Sequence, residues 1–159
     1  MAEEDAALVR QFLAAAKAFA PGVRWTQRTW SDRGGGQGHP DYRDAKFVIL
    51  VVDGSLEGGE LRLQAHAQRE PRKYGFALLW QRRPVLRLDV NPGSTHFNAS
   101  TKTSVAGTHW QAWPDCEAEP DARTLVHRQW LDAFCDLALI ERPGTYEPPP
   151  FIGNQGNLL

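Results

Sequence analysis

The chain has little of what marks specialised protein classes. Cysteine is scarce: only Cys116 and Cys135 occur in 159 residues, at a spacing that matches neither a metal motif nor a dithiol redox motif. They read as two thiols of a reducing compartment rather than as a disulfide. No segment nears the roughly 20 consecutive apolar residues that a bilayer-spanning helix needs, so no membrane contact is expected. The chain opens Ala2-Glu3-Glu4-Asp5 after Met1, acidic where a secretory leader is basic, and the expected location is the cytoplasm. Neither sign of charge is in excess. A formal net charge of -1 gives no global drive toward nucleic acid or acidic lipid and leaves local clustering as the electrostatic device. Gly34-Gly35-Gly36 lacks the Gly-Lys-Ser/Thr ending of a phosphate loop. There is no nucleophile elbow and no dinucleotide fingerprint, and no cofactor is expected. Neither HxH nor CxxC spacing is present, so no metal site is expected.

What is present is the pattern of one α+β domain. Leu8, Val9, Phe12, Leu13, Ala16 and Phe19 recur at helical spacing and predict a helix over Glu3 to Phe19, ended by Pro21-Gly22. Val23 to Trp30 reads as a strand, and the Gly-rich stretch Ser31 to Asp44 as a mobile surface loop. The apolar run Phe47 to Val52 reads as a central strand buried on both faces. Alternating strands follow over Leu61 to Gln68, Tyr74 to Trp80 and Leu86 to Val90. A less regular hairpin is expected from Thr95 to Asn98 and from Val105 to Trp113. A second amphipathic helix spans Asp121 to Glu141, with Asp121 as N-cap and Pro143-Gly144 as its stop. Sequential strands on short turns argue for a two-layer fold: a twisted antiparallel sheet of about five to seven strands, with both helices on one face. Residues 1–144 form this single domain. The Pro/Gly-rich tail 145–159 is expected to be disordered or, alternatively, laid as an arm on the body or on a partner.

The uncovered face carries the candidate chemistry. Alternation puts Arg62, Gln64, His66, Arg87 and Asp89 there. Thr95-His96-Phe97-Asn98 is echoed by Thr108-His109-Trp110-Gln111. Paired as a hairpin, these segments would bring two imidazoles and two amides together near Arg87 and Asp89. Two imidazoles can divide general acid and base roles on a phosphodiester. Arg87, Arg62, Asn98 and Gln111 can hold the phosphate, and Asp89 can orient an imidazole. Solvation of ordinary surface polar residues is the competing reading. The cations Arg69, Arg72, Lys73, Arg82 and Arg83 gather at the ends of one strand as turn charges or phosphate contacts. His39 lies in the Gly-rich loop, and His127 sits at the edge of a helix stripe in a surface or boundary position.

The stretch Leu86-Arg87-Leu88-Asp89-Val90-Asn91 through His96 and Asn98, followed by Gly107-Thr108-His109-Trp110-Gln111-Ala112-Trp113, resembles small bacterial proteins of mobile elements. Those are similar in turn to toxins of the TumE kind. The resemblance covers about Pro84 to Glu141 and rests on an Arg-x-Asp stretch, a His-rich turn and a Gly-x-His strand before the last helix. It implies a toxin-like, toxin–antitoxin or phage-defence role, acting on RNA, with Arg87, Asp89, His96 and His109 matching. The second His of that pattern is Gln111 here, and glutamine transfers no proton near neutral pH. A descendant that kept the fold and lost the chemistry would carry such a residue. Two readings therefore stand. One is a ribonuclease-like or RNA-binding protein. The other is a non-catalytic protein-binding module (an adaptor, an inhibitor or an antitoxin-like partner) using the sheet face, exposed Trp and the tail.

Overall fold

The computed structural model describes residues 3–21, 30–32, 41–68, 70 and 72–151. All of the expected strand Val23 to Trp30 except Trp30, which is not in a strand, lies outside the described residues, as do His39 with the rest of 33–40, Arg69 and the tail beyond 151. The elements in chain order are α1 (Glu3–Ala14), β1 (Lys17–Phe19), β2 (Ser31–Asp32), β3 (Tyr42–Val51), β4 (Gly59–His66), β5 (Tyr74–Trp80), β6 (Arg83–Val90), β7 (Thr95–Asn98), β8 (Thr103–Ala106), β9 (His109–Ala112), β10 (Ala118–Pro120) and α2 (His127–Ala138). The fold is α+β. The main antiparallel sheet runs β1-β3-β4-β5-β6-β9-β10, with β2 also on β3, and β7-β8 form a small second sheet.

Alternation along each strand sends apolar side chains to one face. Phe47 and Ile49 of β3, Leu61 and Leu63 of β4, Phe76 and Leu78 of β5, and Leu86 and Leu88 of β6 are all buried there. Val9 and Phe12 of α1, with Trp130, Leu131 and Phe134 of α2, close over them. Phe12 stacks on Trp80 and Phe134 on Phe76. Gly59 is where β4 comes closest to its neighbours, since a Cβ there would stand 2.6 Å from the Ile49 carbonyl oxygen. The β5–β6 hairpin turns on Gln81 and Arg82, both at positive φ, the backbone of a type I′ turn.

Several expectations are corrected. The first helix stops at Ala14, because residues 17–19 gain more by pairing with residues 49–51 of β3 than by extending a helical stripe. The run from Phe47 is not buried on both faces: both helices lie on one side, so Val48, Leu50 and Val52 remain 57%, 43% and 64% exposed. The expected loop over 31–44 contributes strand at both ends, since Ser31 and Asp32 pair with Asp44 and Arg43. The second helix starts six residues late. Asp121 is not its N-cap. Its carboxylate instead takes bonds from Trp110 Nε1 and Arg123, and the hydrogen bonds from Arg123 hold its carboxyl down at about 2. The helix ends at Leu139, which adopts the left-handed conformation.

The tail through Phe151 is laid on the body rather than disordered. Arg72 donates to the Pro150 carbonyl and stacks over Phe151. Tyr146 meets His127, with 2.6 Å between its hydroxyl and Nδ1. His127 is not a surface residue. It is buried among Trp30, Tyr74, Phe76 and Tyr146. Burial, helped by the nearby Arg72 charge, holds it neutral down to a pKa of about 3.

Lys17 ties the two helices to the sheet. It is 1% exposed, and its ammonium donates to the carbonyls of Leu13, Ala15 and Ala138. These are acceptors at the C-terminal ends of α1 and α2, where the helix dipole favours a cation. Burial lowers its pKa to about 8, which leaves it charged at neutral pH. Its backbone also bonds to Leu139 and Glu141.

Two outcomes follow. Lys17→Met keeps the stem and deletes three charge-assisted bonds, so stability should fall by about 3 kcal/mol or more in urea unfolding. The His127 pKa is lower in the folded chain than in the unfolded one, so unfolding takes up a proton between these values. Stability should therefore fall as pH drops from about 6.5 toward 3, by up to about 1.4 kcal/mol per unit. His127→Phe should flatten that slope in thermal melts, and an unchanged slope would assign the acid sensitivity elsewhere.

Candidate functional site

The register organises the uncovered face into rows that run across the strands. In one row Lys46, Arg62, Ala77, Arg87 and Gln111 are successive partners. In the next, Asp44, Gln64, Gly75, Asp89 and His109 follow one another. Strand β5 contributes only Gly75 and Ala77 to these rows, so the surface dips over it. The result is a trough of about 510 Å³ with Arg62 and Gln64 on one wall, Arg87 and Asp89 on the other, and Arg82 at the hairpin end. Two strand spacings separate the backbones of Arg62 and Arg87, about 10 Å.

The cations of the trough differ in their commitments. Arg62 bonds Glu60 at 3.3 Å, and Lys73 donates to the Tyr42 hydroxyl at 3.1 Å. Arg87 and Arg82 are exposed and have no ion pair among the described residues. Exposed ion pairs are weak and readily exchanged, so Arg62 can also turn to an anion.

At one end of the second row the two imidazoles meet. The ring centroids of His96 and His109 are 5.1 Å apart. They meet by a route other than the expected hairpin. β7 pairs with β8, placing His96 opposite Val105, while β9 pairs with β6, placing His109 opposite Asp89. The small β7–β8 sheet then brings His96 against His109. His109 is 3% exposed. Its Nδ1 lies 3.0 Å from the Gly107 carbonyl, which can only accept, so Nδ1 carries a proton and Nε2 faces Asp89 at 3.9 Å. Rings this close leave no room for a phosphate between them. His96, the more open of the two, is the ring placed to meet a ligand, and His109 stands behind it.

The two amides are employed in the fold. Asn98 is buried, and its side chain donates to the Ala118 carbonyl and accepts from the Ala118 N–H. It thereby imitates a neighbouring strand on the edge strand β10. Gln111 donates to the Cys116 carbonyl at 2.9 Å. Asn98 is therefore corrected from a ligand contact to a clip on β10, and the donor nitrogen of Gln111 is likewise occupied. Among the described residues no group of three His, Cys, Asp or Glu side chains is arranged to hold a metal. Cys135 is buried, which pushes its thiol up to about 12 and leaves it unreactive.

Arg87, Arg62, Asp89 and His109 thus share one face with His96 at its end. The floor residues Gly75 and Ala77, and Lys46 in line with the cations, were not singled out from sequence. Counting alternation across all strands would have placed them, but only with the register known. Comparison with family models, with curated proteins and with solved structures finds no match.

Asn98→Ala should cost about 2–3 kcal/mol, because it leaves a buried N–H and a buried carbonyl of Ala118 without partners. Chemical denaturation measures this. A cost within error of zero would show that water replaces both bonds.

Proposed function

We propose that the uncovered face binds single-stranded RNA, as a toxin-like or defence-associated protein of a mobile element would. The observation that supports this best is the row Lys46, Arg62, Ala77, Arg87, in which guanidinium groups flank a floor with almost no side chain. A phosphate seated over Ala77 meets Arg87, which has no ion pair among the described residues, and Arg62, which can leave Glu60. One row along, Asp89 offers a carboxylate acceptor. A 2′-hydroxyl can donate to it, a contact DNA lacks. Strand cleavage, where it occurs, would draw on His96 as the accessible proton carrier, with His109 and Asp89 as positioning residues behind it.

A second reading has its own observation. Val48, Leu50 and Val52 form an exposed apolar stripe at the other side of the same face, which suits a protein partner of the adaptor, inhibitor or antitoxin-like kind.

Fluorescence anisotropy with a labelled single-stranded RNA, and with the same sequence as DNA, separates these readings. RNA should bind more tightly than DNA, and Asp89→Asn should narrow the gap. Arg87→Ala should weaken RNA binding about five- to tenfold and lower the salt slope by about 0.7. Ala77→Glu should abolish binding. His96→Ala should remove any cleavage while leaving affinity within about twofold, because it supplies a proton rather than the main charge contact. Equal RNA binding by wild type, Arg87→Ala and Ala77→Glu would overturn the proposal.

A further inference from the structure

On the helix-bearing side, a second groove runs between α2 and the β9–β10 edge, with a volume of about 780 Å³. Its floor is apolar: Trp110 and Ala112 of β9 on one side, Ala133 and Leu137 of α2 on the other. Leu137 is 60% exposed, a large apolar side chain that the fold leaves in water.

The rim is acidic. Asp115, Glu117 and Glu119 line it, and none of the three has a cationic partner among the described residues. The nearest cation of the groove, Arg123, is already held by Asp121 at 2.7 Å. Asp136 on the α2 side is paired with Arg142. Glu117 is fixed at the rim by a bond from the Ser100 hydroxyl to one carboxylate oxygen.

The manner of docking is also constrained. β10 ends the sheet order, and an open edge invites strand addition. Asn98 blocks that route by occupying both the N–H and the carbonyl of Ala118. A partner must therefore engage through side chains, with apolar groups on the Trp110 and Leu137 floor and cations on the rim. We infer that this groove is a docking site for a cationic amphipathic segment of a protein partner. It lies on a different side from the RNA trough and does not depend on that reading.

The test uses the full chain and two labelled synthetic helical peptides of one length, one built of Leu and Lys and the other of Leu and Glu. The Leu/Lys peptide should bind saturably, and the Leu/Glu peptide should bind at least tenfold more weakly. Glu119→Lys and Leu137→Asp, both exposed positions, should each reduce Leu/Lys binding at least fivefold. Arg87→Glu, on the other face, should leave it within twofold. Circular dichroism on both groove variants should confirm that the fold is intact. Absence of saturable binding, equal binding of both peptides, or binding indifferent to both groove variants would overturn the inference. So would a concentration-dependent dimer in sedimentation velocity that Leu137→Asp dissolves, since a second copy would then be the occupant.

Discussion

Among the described residues, only one face of the sheet carries helices. Both helices pack on the same side, and Lys17 fixes them there by taking carbonyls from the ends of both with one ammonium. Every large apolar residue on the inner face of β3 to β6 is consumed by that contact. The period-two alternation of antiparallel strands then leaves the opposite face to polar side chains in rows. Register converts distant sequence positions into neighbours: Arg62 and Arg87 are 25 positions apart and stand two strands from each other. The polar face is a consequence of how the core is closed, and a shift of one residue in any strand would turn its cations inward.

Within that face the chemistry is divided. The middle of the trough offers charge without proton carriers, which suits binding a phosphate backbone. The end of the trough offers His96, His109 and Asp89, with His109 fixed by Gly107. The contact between the imidazoles, 5.1 Å between ring centroids, leaves no room for a phosphate between them. The helix side carries charge of the opposite sign, in a groove with an apolar floor. The described residues thus present two surfaces of contrasting chemistry, and the modest net charge hides both.

The architecture was legible in the sequence wherever alternation or helical spacing was strong: β4 to β6 and the cores of both helices. It was less legible where tertiary pairing overrode local pattern. Lys17 to Phe19 continues a helical stripe, yet β3 recruits it. Asp121 looks like a cap, yet Trp110 and Arg123 claim its carboxylate. The Phe47 run reads as doubly buried because apolar content alone cannot say how many layers cover a strand. In the site, Arg87 and Asp89 followed from period-two reasoning, and His109 from its place in the echo of Thr95–Asn98. The approach of His96 to His109 also came from sequence, though through a hairpin that does not form. Asn98 and His127 were misread because their roles depend on partners far along the chain, Ala118 and Tyr146 respectively.

In the proposed RNA complex a nucleic-acid backbone lies over Gly75 and Ala77, between Arg62 and Arg87. Backbone amide NMR shifts recorded while single-stranded RNA is added test it most directly. Perturbations should concentrate on Gly75, Ala77, Arg87 and Asp89 and spread to His96, with Ala133 and Leu137 of α2 unmoved. Perturbations centred on α2, or none across β4 to β6 at saturating RNA, would contradict it.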